Sequence, residues 1–223
     1  MFSVENISYQ YQGNEGEIFA LKDVSLQIDV GQWWAIVGSN GSGKSTLARH
    51  LNGLLLPSAG RVLTAGLDTR EPQNLPAVHR QVGFVFQNPD NQMVGNTVEE
   101  DVAFGPENMG MPREEIRRRI TSALAAVGLA GMEKRDPVRL SGGQKQRLAI
   151  AGALAMEPKA LILDEATAML DGTGRQDILA LLQSFHQQGM TIVTITHDMT
   201  EVLAAQYIAV MEAGCLLATG TPR

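Results

Sequence analysis

The stretch GSNGSGKST, Gly38 to Thr46, limits this chain more than any other part of its sequence. It follows QWWAIV, an apolar strand-like run, and precedes LARHLNGLL, which reads as a helix. The spacing G-x-x-x-x-G-K-[ST] needs that strand-to-helix context. Glycines let backbone N–H groups curl around phosphate oxygens, and the helix turns the positive end of its dipole toward them. Gly38, Ser39, Asn40, Gly41, Ser42, Gly43 and Thr46 then form a cradle. Lys44 bridges the β- and γ-phosphates of a nucleotide, and Ser45 coordinates Mg²⁺. The bland alternative is a glycine-rich turn, against which the flanking strand and helix argue.

Around this loop the chain alternates in character. VENISYQY, FALKDVSLQI and RVLTAG read as strands near the start; KALILDE and MTIVTITHD are continuous apolar strands further on. Such runs suit a parallel sheet covered on both faces. YIAVMEAGCLLATG reads as a hairpin around Gly214. Between them, residues 88–156 turn helical. MPREEIRRRITSALAAVGL places Pro112 near a helix start, Ile116, Ile120, Leu124 and Val127 on one face, and Gly128 as a stop. Arg117, Arg118 and Arg119 are expected on a solvated face. The organisation is an α/β core, residues 1–87 and 157–223, interrupted by a helical insert within one domain. With 44% hydrophobic residues a core forms without staples, and Cys215, the single cysteine, excludes an internal disulfide. No basic and apolar leader opens the chain, and Leu148 to Met156 is too short an apolar run to span a membrane. A net charge of −6 argues against nucleic-acid binding.

Two further motifs complete a site. LILDE, Leu161 to Glu165, ends a strand in two acids. Asp164 there holds Mg²⁺ through water and Glu165 polarises an attacking water, unless the pair merely caps a helix. His197 follows another buried strand at the same edge, as a γ-phosphate sensor or a capping residue. LSGGQKQR, Leu140 to Arg147, reads Ser141 as an N-cap, with Gly142, Gly143 and Gln144 opening the first helical turn. That is a second anion site. One triphosphate does not need both, so this site serves a nucleotide held by another chain.

These motifs together resemble the nucleotide-binding subunit of ATP-binding cassette (ABC) transporters. GSNGSGKST matches the Walker A loop, Gln87 the Q-loop, LSGGQ the signature, LILDE the Walker B strand, ATAMLD the D-loop and His197 the switch histidine. The resemblance implies an α/β P-loop NTPase (RecA-like) core with a parallel sheet, an N-terminal antiparallel β-subdomain and an inserted α-helical subdomain. It implies ATP and Mg²⁺, with Gln87 joining Ser45 and Asp164 at the metal. It implies a head-to-tail dimer in which Lys44 of one chain and Ser141 of the other close on one ATP, while Asp171 crosses the interface. Tyr11 corresponds to the aromatic residue that stacks on adenine, or else packs a sheet face; residues Gln12 to Glu17 form a loop after it. After MLD the chain has Gly172, where the family often has proline, which loosens the turn. The resemblance also implies, for one branch of the family, a C-terminal dimerisation segment, which is expected to be absent from the sequence as it stands.

That branch is marked by QNPDNQ…TVEEDVAFGPENMG, which resembles the ATPases of energy-coupling factor (ECF) transporters for vitamins and metal ions. The resemblance implies a peripheral protein on the cytoplasmic face of the cell membrane. Its partners would be a second ATPase, a paralogue in preference to an identical copy, an integral membrane scaffold, and indirectly a substrate-binding membrane subunit. Thr97 to Glu100 spells a capping box, and Glu99 and Asp101 suit a helix N-terminus. Asp90, Asn91 and Gln92 are expected to meet a basic scaffold helix through an uncompensated acidic surface. The competing readings are a soluble ABC-type ATPase and a nucleotide switch without turnover.

Overall fold

The computed structural model describes residues 1–13 and 16–222. The chain runs β1 (Phe2–Gly13), β2 (Gly16–Ile28), β3 (Trp33–Gly38), α1 (Lys44–Leu51), β4 (Ala59–Thr64), β5 (Leu67–Asp68), α2 (Leu75–Gln81) and β6 (Val82–Val85). It continues through α3 (Val98–Asn108), α4 (Arg113–Ala126), α5 (Gly142–Leu154), β7 (Ala160–Asp164), α6 (Gly172–Gln187), β8 (Thr191–Ile195), α7 (Met199–Ala204), β9 (Tyr207–Glu212) and β10 (Cys215–Gly220). Two sheets result. One is antiparallel, in the order β2-β1-β4-β5. The other has the order β10-β9-β3-β8-β7-β6, parallel from β9 to β6 with β10 antiparallel at its edge.

The central strands are apolar throughout because both their faces are covered. Successive side chains enter different cores. Trp33, Ala35, Leu161, Leu163 and Ile192 join one cluster with Leu148 and Ile150 of α5 and Ile178 and Leu182 of α6. Trp34, Ile36, Ile162, Val193 and Ile195 join the other, with Leu47 and Leu51 of α1 and the antiparallel sheet's Phe2, Ile7, Leu21 and Ile28. The period of two therefore fastens helices to one face, and α1 with the second sheet to the other.

Two readings from the sequence need revision. Gln12 and Glu17 are register partners, as are Gly13 and Gly16, so the hairpin ladder continues where a loop was expected. Residues 14 and 15 of that loop lie outside the described residues. The helical stretch behaves as its pattern predicts: Ile116, Leu124 and Val127 are buried. Arg117 and Arg118 are exposed, but Arg119 is largely covered, bonding the Ala155 carbonyl at 3.0 Å and pairing with Glu115 and Glu157.

Candidate active site

The loop after β3 is shaped by glycines that no other residue can replace. Gly38 has φ 151°, and a Cβ there would lie 2.1 Å from the Met211 carbonyl oxygen. Gly43 has φ 100°, and its Cβ would meet the Ala20 carbonyl at 2.4 Å. The loop closes on its own lysine: Lys44 Nζ donates to the carbonyls of Gly38 at 3.0 Å and Ser39 at 2.9 Å. Only 5% of Lys44 is exposed. Those carbonyls hold the ammonium at the base of the loop, on which α1 begins.

β7 is brought beside this loop by the sheet order. Ser45 Oγ donates to Asp164 Oδ1 at 2.7 Å. Burial pushes the Asp164 carboxyl above its ordinary range, and the Ser45 hydrogen bond with the Arg49 and Lys44 charges opposes that push. A hydroxyl and a carboxylate oxygen in contact at a phosphate loop are hard donors, too few to form a metal cage by themselves. That set fits Mg²⁺, which keeps waters and shares its coordination with phosphates. Glu165, one residue on, has φ 49°, a left-handed conformation costly for a residue with a Cβ. Its N–H still pairs with the Ile195 carbonyl at 3.0 Å, and its carboxylate accepts from Gln87 Nε2 at 3.0 Å.

Tyr11, residues 40, 41 and 43–46, Gln87 and Glu165 line one cleft of about 500 Å³. Tyr11 is 37% exposed there; its hydroxyl lies 3.3 Å from Thr46 Oγ1 and its ring sits edge-on to Tyr9. Phe19 and Ala20 of β2 also line this cleft, and neither was foreseen. The signal for Phe19 was its register opposite Gln10, next to Tyr11, which is visible only once the strands pair. His197 stands exposed between β8 and α7 and is not among the lining residues.

A second cleft, about 530 Å³, is lined by residues 141–144, Asp171, Thr173 and Gly174. Ser141 caps α5 in a reciprocal box: its Oγ accepts from Gln144 N at 3.3 Å, and Gln144 Oε1 accepts from Ser141 N at 3.0 Å. The Ser141 hydroxyl hydrogen stays available for an anion. Asp171 caps α6, accepting from Gly174 N at 2.8 Å.

The acidic surface expected after Gln87 is not present as such. Asp90 pairs with Lys145 of α5 at 2.6 Å, and Glu99 pairs with Lys134. Asp101 is buried and accepts from the N–H groups of Val94 and Gly95 at 2.7 and 3.0 Å. Thr97 caps α3, but Glu100 reaches Asn96 N rather than the cap residue's own N–H. Gln92, expected at a scaffold, turns inward, accepting from Phe86 N and donating to the Phe84 carbonyl. Every acid in the stretch finds a partner from its own chain. The groove beside it is apolar instead, lined by Leu54, Phe86, Val94, Phe104 and Met156. Val94 and Phe104 are 58% and 51% exposed.

Among the described residues no helix is long and apolar enough to cross a membrane. The sequence model of the family described as ABC transporter matches residues 21–168. The energy-coupling factor transporter ATP-binding protein EcfA1 of Symbiobacterium thermophilum is 56% identical over 98% of this chain and 78% of its own length. Its namesake from Enterococcus faecalis is 51% identical over 100% of this chain and 79% of its own. Among solved structures, cbiO1 from Clostridium perfringens, part of the ABC transporter complex cbiONQ, superposes with TM-score 0.88 at 41% identity, covering 99% and 88% of the two chains. The dimeric cassette MJ0796 bound to ADP and Pi superposes with TM-score 0.90 at 31% identity, covering 100% and 99%.

Proposed function

The chain belongs to the ABC transporter family, among the ATP-binding proteins of energy-coupling factor transporters, and we propose that it is one half of a two-site ATPase that powers uptake of a vitamin or a transition-metal ion. The observation that carries this reading is the separation of two nucleotide-type clefts on one chain. One has the Lys44 loop and Glu165; the other has the Ser141 cap and Asp171. Each is incomplete without the kind of groups the other holds. A head-to-tail pair of such chains would bring them together twice.

In that arrangement Lys44 takes up charge on the β- and γ-phosphates, and Tyr11 stacks on the base. Ser45 and Asp164, with Gln87, would hold a Mg²⁺ ion, which supplies neutralisation of phosphate charge. Glu165 accepts a proton from the water that attacks the γ-phosphorus as the bond to the β-phosphate oxygen breaks. His197 donates to a γ-phosphate oxygen once the dimer closes. Ser141 and the free N–H groups of Gly142 and Gly143 reach the same phosphate from the partner chain. Asp171 crosses between the two sites.

The apolar groove at Val94 and Phe104 receives a helix of an integral membrane scaffold, with Asp90, Asn91 and Gln92 in the segment that leads into it. This holds the chain at the cytoplasmic face of the membrane, reaching the substrate-binding subunit only through the scaffold. The kinship with the EcfA1 proteins supports a paralogue as the second ATPase, and the dimeric MJ0796 cassette supports the dimer itself. The test is Glu165→Gln with ATP and Mg²⁺ in size-exclusion chromatography. Hydrolysis should fall at least about a hundredfold and a nucleotide-loaded dimer should accumulate, with this chain or with a co-expressed paralogue. A Glu165→Gln protein that hydrolyses ATP at the wild-type rate as a monomer would overturn the proposal.

A further inference from the structure

Glu201 is a buried carboxylate to which the reaction above assigns no part. It lies in α7, with 4% of its surface exposed. Burying a carboxylate costs several kcal/mol unless its oxygens are satisfied. Here the partner is a hydroxyl: Thr167 Oγ1 donates to Glu201 Oε1, and the Thr196 side chain, at the head of the turn before α7, opposes the upward push of burial on the same carboxyl. Both threonines are themselves buried.

Their positions in the chain are telling. Thr167 lies two residues after Glu165, in the tight turns that lead to Asp171; Ala168 N pairs with the Glu165 carbonyl and Leu170 N with the Thr167 carbonyl, both at 3.0 Å. Thr196 immediately precedes His197, and its Oγ1 accepts from Asp198 N at 3.0 Å. A second clamp runs alongside: Arg175 of α6 pairs with Asp198 and reaches the Leu170 carbonyl at 3.5 Å. His197 itself has only two flanking residues between β8 and α7 to fix it.

We propose that Glu201 is a positioning residue, whose carboxylate ties the segment after Glu165 to α7, which starts directly after the turn carrying His197, so that the two move as one unit. A shift of the Asp171 segment, which faces the second cleft, would then reach His197 through Thr167, Glu201 and the start of α7, with the Arg175–Asp198 pair alongside. This rests on the reading of His197 as a γ-phosphate contact.

The test compares Thr167→Val, Glu201→Gln and the conservative Thr167→Ser with wild type, alone and in a His197→Ala background. Readouts are kcat, KM for ATP, melting temperature and the imidazole NMR signals of the protein's four histidines. Hydrogen bonds to a charged group predict a loss of about tenfold in kcat for Thr167→Val and Glu201→Gln. KM should stay within about twofold, since the Lys44 loop is untouched. The His197 signals should shift, Thr167→Ser should restore both, and neither loss should add to that of His197→Ala. Arg61→Ala, at a surface pair on the antiparallel sheet, is the neutral control. If Glu201→Gln does not fold, the Thr167 pair decides. Unchanged kcat and unchanged His197 signals in Thr167→Val overturn the proposal, as does a loss that multiplies with that of His197→Ala. Full activity in His197→Ala alone would instead remove the reading of His197.

Discussion

Gln87 Nε2 donates to Glu165 Oε2 across 3.0 Å, joining the segment that leaves β6 to the segment that leaves β7. Those strands are parallel neighbours, paired from Val82 with Ala160 to Val85 with Leu163, so their ends emerge side by side. The same outgoing segment of β6 leads to the apolar groove lined by Phe86 and Val94.

The first prediction follows from that bond. Gln87→Ala removes the group that aims the Glu165 carboxylate, but leaves the phosphate loop intact. A hydrogen bond to a charged acceptor is worth about 1.5–3 kcal/mol, so steady-state kcat should fall about tenfold or more. KM for ATP should move less than about threefold. A rise in KM with kcat preserved would mean that Gln87 binds nucleotide rather than orienting the base.

Asp90 and Lys145 make a second expectation. Reversing one charge alone, as Asp90→Lys, sets two cations against each other between the 3₁₀ turn at Pro89–Asn91 and α5. Asp90 is more than half exposed, so the pair contributes at most about 1 kcal/mol. Melting temperature should drop by about 2–4 °C, recover in the double variant Asp90→Lys with Lys145→Asp, and become insensitive in about 1 M salt. Failure of the double variant to recover would show that the Asp90–Lys145 pair does not carry the loss.

Tyr11→Ala tests the base platform. Stacking of this kind is worth about 0.5–1.5 kcal/mol, so affinity should fall up to about tenfold. ATP and GTP should weaken alike, because a ring face does not read base edges, and Tyr11→Trp should retain binding. Equilibrium titration with both nucleotides decides it; undiminished affinity would return Tyr11 to a sheet-packing role beside Tyr9.

What was legible beforehand was whatever depends on neighbours in sequence. The Lys44 loop, the Ser141 cap and the acids ending β7 are local devices, and their spacing alone carries them. Partners distant in sequence were not legible. The carboxylates after Gln87 looked uncompensated because Lys134 and Lys145 answer them from beyond α4. Gln92 looked like a surface amide because its acceptor lies on β6, at Phe84, and its donor one residue past that strand, at Phe86. β6 carries no legible signal: VGFV is four residues long and contains glycine, too short a run to assert a period. The Glu201 junction joins three segments that meet only after β7 and β8 pair.

The pH dependence of stability should carry the mark of Glu201. Burial raises its carboxyl above the ordinary value of 4.5, the Asp198 charge adds to this, and Thr167, Thr196 and Arg175 oppose it. The folded chain thus holds that proton more tightly than the unfolded chain does. Its contribution to stability is full below the unfolded value and is lost as pH rises through the raised folded value. Glu201→Gln has no such proton to lose. The melting temperature of wild type minus that of the variant should therefore be larger at pH 5 than at pH 8. Equal differences at both pH values would show that the carboxyl is not shifted by burial.

Gly172 offers a stabilising change. It is the first residue of α6, directly after the Asp171 cap, and a side chain there meets no atom within 4 Å. Proline suits a first helical position, where its fixed φ is already right and no intrahelical N–H bond is lost. The residue before proline must be extended, and Asp171 already is, with φ −68° and ψ 172°. Gly172→Pro then removes freedom mainly from the unfolded chain, worth about 0.4–1 kcal/mol. In a domain of this size the melting temperature should rise by about 1–4 °C. The Asp171 carboxylate accepts from Gly174 N, not from residue 172, so the cap survives the substitution. A fall in melting temperature would mean that the Gly172 N–H has a partner, or that the turn needs the looseness glycine provides, and circular dichroism melts of the two proteins separate the outcomes directly.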